Sequence, residues 1–168
     1  SSKKGGAGEV FVNELLVQLL PTATIIDTHK QKARGDFMIQ YKDVNILYEN
    51  KNYDSRNVPK RDILKFLRDV EINGDIECGI MASQKTGIAN RANYTIEFTK
   101  NKKPIIYLHK TTQYRDHIKY AVEILVSMIR NDISFDNSKM NIVKGLLHTC
   151  SALRKNNDKY EKSIQPLI

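Results

Sequence analysis

Tryptophan is absent from this chain of 168 residues, and cysteine occurs only twice. Cys78 and Cys150 lie far apart, without the paired spacing of a zinc site or a disulfide framework, which argues against structural zinc and favours reduced thiols. No apolar run approaches the roughly 18 residues that indicate a membrane span, and the opening residues lack the pattern of a signal peptide. We therefore expect a soluble intracellular protein without a membrane partner, in the cytoplasm, or in the nucleus if the source is eukaryotic or viral.

Positive charge, by contrast, is in excess. The 27 lysines and arginines outnumber the 19 aspartates and glutamates, which gives a net charge of +8 and a pI of about 9.4. These cations are spread along the chain, so a folded surface should carry the positive potential. Such a surface suits a polyanion such as nucleic acid, although a basic domain of another kind would have the same composition.

The length predicts a single domain with a substantial core. Residues 1–8 are mostly Ser, Lys and Gly and are predicted to form a flexible tail. Residues 9–110 are predicted to form the core, and residues 111–168 a helical extension packed on that core.

A first helix is predicted over 9–20 from four apolar residues at helical spacing, Val12, Leu15, Leu16 and Leu19. Pro21 should end this helix. Its phase places Glu14 toward solvent and Glu9 on the edge of the buried face, in the first turn. A glutamate in a first turn also stabilises the helix dipole, so Glu9 has a structural explanation as well as a functional one.

Runs rich in β-branched and aromatic residues predict strands over 24–26, 34–41, 44–51, 78–83, 94–98 and 105–108. A helix opened by Pro59 separates the third of these from the fourth, so the two should be parallel in a βαβ unit. Helices are predicted over 113–131 and 138–159. The chain is therefore predicted to be an α/β protein with a mixed central sheet, extra strands and two C-terminal helices.

The segment 34–51 is predicted to be a β-hairpin with Lys42 and Asp43 as its two-residue turn. In that register Asp36 faces Glu49 across the two strands. Directly opposed residues have Cβ atoms roughly 4.5 to 5.5 Å apart, so the two carboxylates repel each other. A divalent cation held between them would offset this repulsion.

Lys51 shares a strand face with Glu49, while Asn50 points away. Two carboxylates and a lysine are the groups that metal-assisted phosphodiester hydrolysis requires. Glu9 could add a further ligand or activate water. Hard oxygen ligands favour Mg²⁺ or Mn²⁺ over Zn²⁺. The alternative is a surface hairpin with a salt bridge among Asp36, Glu49 and Lys51.

The order of these features resembles the PD-(D/E)xK nuclease superfamily. The residues that carry the resemblance are Gly8-Glu9 in the first helix, Gly35-Asp36, Glu49-Asn50-Lys51, and a buried strand that closes on Ser83-Gln84. The resemblance covers residues 8–85, is closest to archaeal-type Holliday junction resolvases and restriction-endonuclease-like proteins, and departs at Gly35, where the superfamily's name has a proline.

This resemblance implies a restriction-endonuclease-like αβββαβ core and a catalytic set of Asp36, Glu49, Lys51, Glu9 and Gln84. Among these, Asp36, Glu49 and Glu9 would be metal ligands, Lys51 the catalytic lysine, and Gln84 the polar residue that ends the fourth core strand.

Several cations and one aromatic residue flank the predicted site and would contact the phosphates of a nucleic acid. They are Lys30, Lys32, Arg34, Tyr53, Arg56, Lys60, Lys85 and Arg91. The alternative is a solvated basic rim, with Tyr53 packed on the sheet. None of the histidines, at 29, 109, 117 and 148, has a partner at ligand spacing, so no catalytic role is predicted for them.

The sequence thus predicts a Mg²⁺- or Mn²⁺-dependent DNA nuclease acting on duplex or branched DNA, or a nuclease domain of a larger protein. One alternative is an inactive nucleic-acid-binding module on the same fold. Another is a protein-interaction domain that uses the C-terminal helices. The helix over 138–159 could pair with a second copy to form a homodimer, or pack on its own domain.

Overall fold

The computed structural model describes residues 2–132, with the backbone alone over 2–7, together with residues 145 and 149. The chain divides into two compact units, Ser1–Ser134 and Phe135–Ile168. In the second unit, Gly145 and Thr149 are helical, and Thr149 Oγ1 donates a hydrogen bond of 2.9 Å to the Gly145 carbonyl. The rest of the helix predicted over 138–159 lies outside the described residues. The predicted domain limits stay predictions.

The first unit is an α/β fold with a mixed six-stranded open sheet, as the sequence predicted at that level. Its helices and strands, in chain order, are α1 Ser2–Leu19, β1 Thr24–Asp27, β2 Phe37–Tyr41, β3 Val44–Lys51, α2 Lys60–Ile72, β4 Cys78–Ser83, β5 Thr95–Phe98, β6 Pro104–Leu108 and α3 Asp116–Arg130. The strands lie in the order β1-β2-β3-β4-β6-β5. Among the described helices, none is both long and apolar enough to cross a membrane.

The hairpin and its register are confirmed. Strands β2 and β3 are antiparallel and pair from Tyr41 with Val44 to Phe37 with Tyr48. Lys42 and Asp43 form the turn with φ of 47° and 64°. Two positive φ values match the right-handed twist of the flanking strands, which is why two-residue hairpin loops favour them.

The βαβ unit is also confirmed. Strand β4 is parallel to β3, with Ile46 beside Cys78 and Lys51 beside Ser83, and all six residues of β4 are buried. Parallel strands need a crossover, and α2 supplies it while covering one face of the sheet. A core cluster under α2 contains Met38, Leu47, Val58, Ile63, Phe66, Val70, Ile76, Met81, Ile88, Ile105 and Tyr107.

Helix α1 begins at Ser2 rather than at Glu9. The spacing of apolar residues predicts only the part of a helix that packs on other elements. Residues 2–8 contain no large apolar side chain, so this pattern could not predict that they are helical. Val12 and Leu16 are buried as predicted, whereas Leu19 is only half-buried and Leu20 takes the last buried position. Leu20 still donates a helical backbone hydrogen bond to Leu16, so the buried stripe extends one residue past the end of α1.

Gly79 in β4 lies where a side chain would collide with the core. A Cβ atom there would be 2.8 Å from Phe66 Cζ and 3.0 Å from both Ile105 Cδ1 and Val70 Cγ2. We expect Gly79→Ala to lower the free energy of unfolding by about 1 to 3 kcal/mol through overpacking, measured by urea denaturation. Gly74→Ala is the matched control, because no atom lies within 4 Å of its Cβ position. Equal stability of the two variants would contradict this account of the core.

Candidate active site

Gly35 sets the entry of the chain into β2 and so positions Asp36. Its φ of +65° lies in the left-handed region, and a Cβ atom there would approach Leu47 Cγ to 3.0 Å and the Tyr48 carbonyl to 3.1 Å. The Asp36 amide donates to that same carbonyl at 3.1 Å, and the Asp36 carbonyl accepts from Thr28 at 2.9 Å. Asp36 therefore lies one residue beyond the last paired position of β2, on a tightly held backbone.

The Asp36 carboxylate is held by the end of β3. Its Oδ2 accepts a 2.7 Å hydrogen bond from the backbone amide of Asn50. Burial raises the pKa of Asp36, and the negative charge of Glu49 raises it further, to about 6, against the opposing effects of the Asn50 amide and the Lys51 ammonium. The repulsion that the register predicted between Asp36 and Glu49 is thus present in the structure.

Glu49 and Lys51 form an ion pair at the carboxyl end of β3. Lys51 Nζ lies 2.9 Å from Glu49 Oε1, and the two side chains are 21% and 11% exposed. Burial lowers the pKa of Lys51, but the charge and hydrogen bond of Glu49 outweigh it, and the pKa is raised overall. Lys51 therefore carries its positive charge at neutral pH. It can stabilise negative charge there, but it cannot accept a proton.

Glu9, Asp36, Asn50 and Gln84 line one cleft of about 180 Å³. Gln84 continues the pairing of β4 with β3, since its amide donates to the Lys51 carbonyl at 2.8 Å. Its side-chain Oε1 accepts a 2.9 Å hydrogen bond from Asn50 Nδ2, an arrangement that directs the Gln84 amino group away from Asn50. Asn50 contributes to the site through its backbone amide, which donates to Asp36, and through its side chain, which donates to Gln84. Alternation alone did not predict either bond.

Glu9 also contacts a histidine that the sequence did not single out. His29 Nε2 lies 3.1 Å from Glu9 Oε2, and His29 Nδ1 lies 2.5 Å from Asp27 Oδ1. The hydrogen bond with Asp27, together with the charges of Asp27 and Glu9, raises the pKa of His29. No local motif could have revealed this contact, because Glu9 and His29 lie on different elements and have no regular spacing.

Three of the cations predicted to contact nucleic acid form ion pairs within the protein. Arg34 binds both carboxylate oxygens of Asp75, at 2.7 and 2.8 Å, and Asn73 at 2.9 Å. Arg91 binds Glu97 through both Nε and Nη2, at 3.1 and 2.9 Å. These two guanidinium groups join loops to neighbouring elements.

Lys85, the third, bonds to Asp54 at 3.1 Å, but both side chains are largely exposed, so this pair can exchange for a phosphate at little cost.

The other predicted contacts lie at the surface. Lys30, Lys32, Arg56 and Lys60 are exposed. The Arg56 guanidinium lies over the Tyr53 ring, 4.7 Å from its centroid. The Tyr53 hydroxyl donates to Asp62 Oδ2 at 2.5 Å, and the negative charge of Asp62 acts on Lys51. Tyr53 is half-buried, which agrees in part with the alternative that it packs against the protein and does not contact nucleic acid.

The remaining histidines and cysteines give no second site in the described part of the chain. His117 is buried between the rings of Tyr94 and Tyr114, and His109 Nε2 accepts a 3.2 Å bond from the Ile88 amide. Cys78 is buried, and burial raises the pKa of its thiol. The histidine at 148 and the cysteine at 150 lie outside the described residues.

Comparison with known proteins assigns no family, since no family model, curated protein or solved structure matches this chain.

The raised pKa of Asp36 predicts that its charge costs stability. Unfolded Asp36 has its ordinary pKa of 3.8 and folded Asp36 a pKa of about 6, so folding favours the protonated form, and this residue's contribution becomes less favourable as pH rises between those values. Asp36→Asn keeps an acceptor oxygen for the Asn50 amide and removes the charge. We expect this variant to exceed wild type in free energy of unfolding by up to about 3 kcal/mol above pH 6, without divalent cations.

The measurement is urea denaturation of both proteins in EDTA from pH 3.5 to 8. The difference should shrink below pH 6 and become small near pH 3.5, where Asp36 is mostly protonated in both states. A pH-independent difference would contradict the electrostatic explanation.

Proposed function

We propose that this protein is a metal-dependent nuclease that hydrolyses DNA phosphodiester bonds, as an endonuclease or as a nuclease domain of a larger DNA-processing protein. The observation that carries the proposal is the meeting of a half-buried Asp36 carboxylate with the Glu49–Lys51 ion pair at the ends of neighbouring strands. Glu9 and Gln84 line the same cleft as Asp36.

The element order supports the proposal. A helix, three antiparallel strands, a crossover helix and a parallel strand follow one another from α1 to β4. The resemblance to PD-(D/E)xK nucleases implies an αβββαβ core, and this order of elements supports that part of the proposal. The missing proline has a local explanation, because proline holds φ near −65° and position 35 has φ of +65°.

Asp36 and Glu49 are the groups that would hold Mg²⁺ or Mn²⁺. Mg²⁺ is usually bound by one or two carboxylates, with waters and substrate phosphates completing its shell. Burial and the negative charge of Glu49 together raise the pKa of Asp36, and a bound cation would relieve this electrostatic cost. When bound, the metal would polarise a phosphoryl oxygen and lower the pKa of a coordinated water.

The chain's own residues would then stabilise the reaction. Hydrolysis adds water to phosphorus and breaks one P–O bond, and negative charge gathers on the phosphoryl oxygens in the transition state. Lys51, which is cationic and oriented by Glu49, would lie against that charge. Gln84 would donate a hydrogen bond to a phosphate oxygen through its amino group, since its carbonyl oxygen is already bonded to Asn50.

We expect Asp36→Ala and Lys51→Ala each to abolish Mg²⁺-dependent cleavage while the folded structure is retained. The assay incubates plasmid and branched oligonucleotides with the protein in Mg²⁺, Mn²⁺ or EDTA. Circular dichroism checks the fold of each variant. Glu14→Ala is the matched control, because Glu14 is an exposed acid on the same helix as Glu9. Full cleavage by the Asp36 and Lys51 variants would overturn the proposed site.

The exposed cations predict how binding depends on salt. Each phosphate contact contributes about 0.9 to the slope of log affinity against log salt for duplex DNA. Substituting Lys30, Lys32 and Lys60 together by Ala should therefore reduce that slope by about 2 to 3, measured by fluorescence anisotropy in EDTA. Lys119→Ala, which removes an exposed cation on α3, should leave it unchanged.

Arg34→Ala provides the contrast. Because its guanidinium bonds to Asp75 and Asn73, the variant should lower the melting temperature, with little effect on the slope. If Arg34→Ala instead reduced the slope of log affinity against log salt by about 0.9, the value for one phosphate contact, and left the melting temperature unchanged, Arg34 would be a phosphate contact.

A nucleic-acid-binding module without hydrolytic activity is the second candidate. One observation favours it: within the residues that the structure describes, no three His, Cys, Asp or Glu side chains are grouped so that they could hold a metal ion. This candidate predicts salt-sensitive DNA binding that EDTA does not alter, with no cleavage in Mg²⁺ or Mn²⁺.

A further inference from the structure

Glu9, His29 and Asp27 form a row of contacting side chains that begins with Glu9 at the edge of the cleft. Glu9 Oε2 contacts His29 Nε2 at 3.1 Å, and His29 Nδ1 contacts Asp27 Oδ1 at 2.5 Å. Asp27 Oδ1 also accepts a 3.1 Å bond from the backbone amide of His29. Helix α1 and the end of strand β1 are therefore joined through one imidazole ring.

The second carboxylate fixes the ring. Both contacts to Asp27 come from the same residue, one from the main chain and one from Nδ1, so the imidazole plane and its direction toward α1 are set by the β1 end of the sheet. A histidine oriented in this way by a carboxylate presents its other nitrogen to a partner in a defined direction. Here that partner is Glu9.

Glu9 needs such a restraint if it is to act at the cleft. Its side chain is 31% exposed, and a glutamate on a helix surface samples several rotamers. It lines the cleft with Asp36, and its charge acts on the Asp36 carboxylate. One oxygen held by His29 limits the positions that the carboxylate can take at the cleft edge.

We propose that His29 is a positioning residue that holds the Glu9 carboxylate beside Asp36, where Glu9 orients a water or cation for phosphodiester hydrolysis. This inference rests on the proposed nuclease function. It gives His29 a role through Glu9 and not through contact with the substrate.

Two substitutions separate positioning from general structure. In His29→Gln the amide nitrogen can reach the place of Nε2, so the link to Glu9 is kept. In His29→Asn it can reach only the place of Nδ1, so the link to Asp27 is kept and the link to Glu9 is lost. We expect His29→Asn to lower kcat by about 10- to 100-fold with KM for DNA unchanged. His29→Gln should recover most of kcat.

A second readout does not depend on activity. The carboxylate ¹³C resonance of Glu9, in the metal-free protein with labelled glutamate, reports the contact with residue 29. We expect this resonance to move in His29→Asn and to return toward its wild-type position in His29→Gln. Melting temperatures of the two variants should agree, which excludes a difference in folding.

The outcomes are distinguishable. A wild-type protein without metal-dependent cleavage overturns the proposed function, and the role of His29 with it. An active wild type beside an equally active His29→Asn variant overturns only the role of His29. The same holds if His29→Gln is as impaired as His29→Asn, or if the Glu9 resonance is identical in all three proteins.

Discussion

A two-residue turn sets the register of β2 against β3, and the positions of the central side chains depend on it. Lys42 and Asp43 both adopt positive φ, which lets the hairpin close with Tyr41 opposite Val44. A slip of one residue would exchange the two faces of β3, so Leu47 would leave the core cluster under α2. The same slip would move Glu49 and Lys51 away from the side of Asp36. Folding and the candidate site therefore rely on one local geometry.

The site is assembled against an electrostatic cost. Two carboxylates approach each other in a half-buried position, and burial adds to their repulsion. The Asn50 amide and the Lys51 ammonium offset part of that cost. They do not offset all of it, because the pKa of Asp36 is still raised. Unrelieved charge in a cleft is characteristic of functional sites, where stability is commonly exchanged for reactivity. A salt bridge on the protein surface would not contain such unrelieved negative charge.

Local pattern was enough to predict much of the fold. Alternation and turn chemistry predicted the hairpin and its register, and the apolar run at 78–83 predicted the parallel strand β4. Because side chains at strand ends follow from register, Asp36, Glu49 and Lys51 could be placed together before any coordinates. Helical phase likewise placed Glu14 in solvent.

Pairings between segments that are distant in the chain could not be predicted in this way. Arg34 with Asp75 and His29 with Glu9 join segments whose relative position is decided only by tertiary packing. Composition shows a cation in each case but not whether a carboxylate neutralises it. For this reason, only the structure separates the candidate nucleic-acid contacts into paired and exposed groups, and the contact of His29 with Glu9 had no sequence signal.

The bond that orients Asp36 comes from the main chain. The donor is the backbone amide of residue 50, while the asparagine side chain at that position serves Gln84. Every amino acid except proline carries that amide, so position 50 can vary during evolution without releasing the aspartate. The orientation of the Asp36 carboxylate is thereby insensitive to the side chain at position 50, whereas the bond to Gln84 depends on the asparagine side chain there.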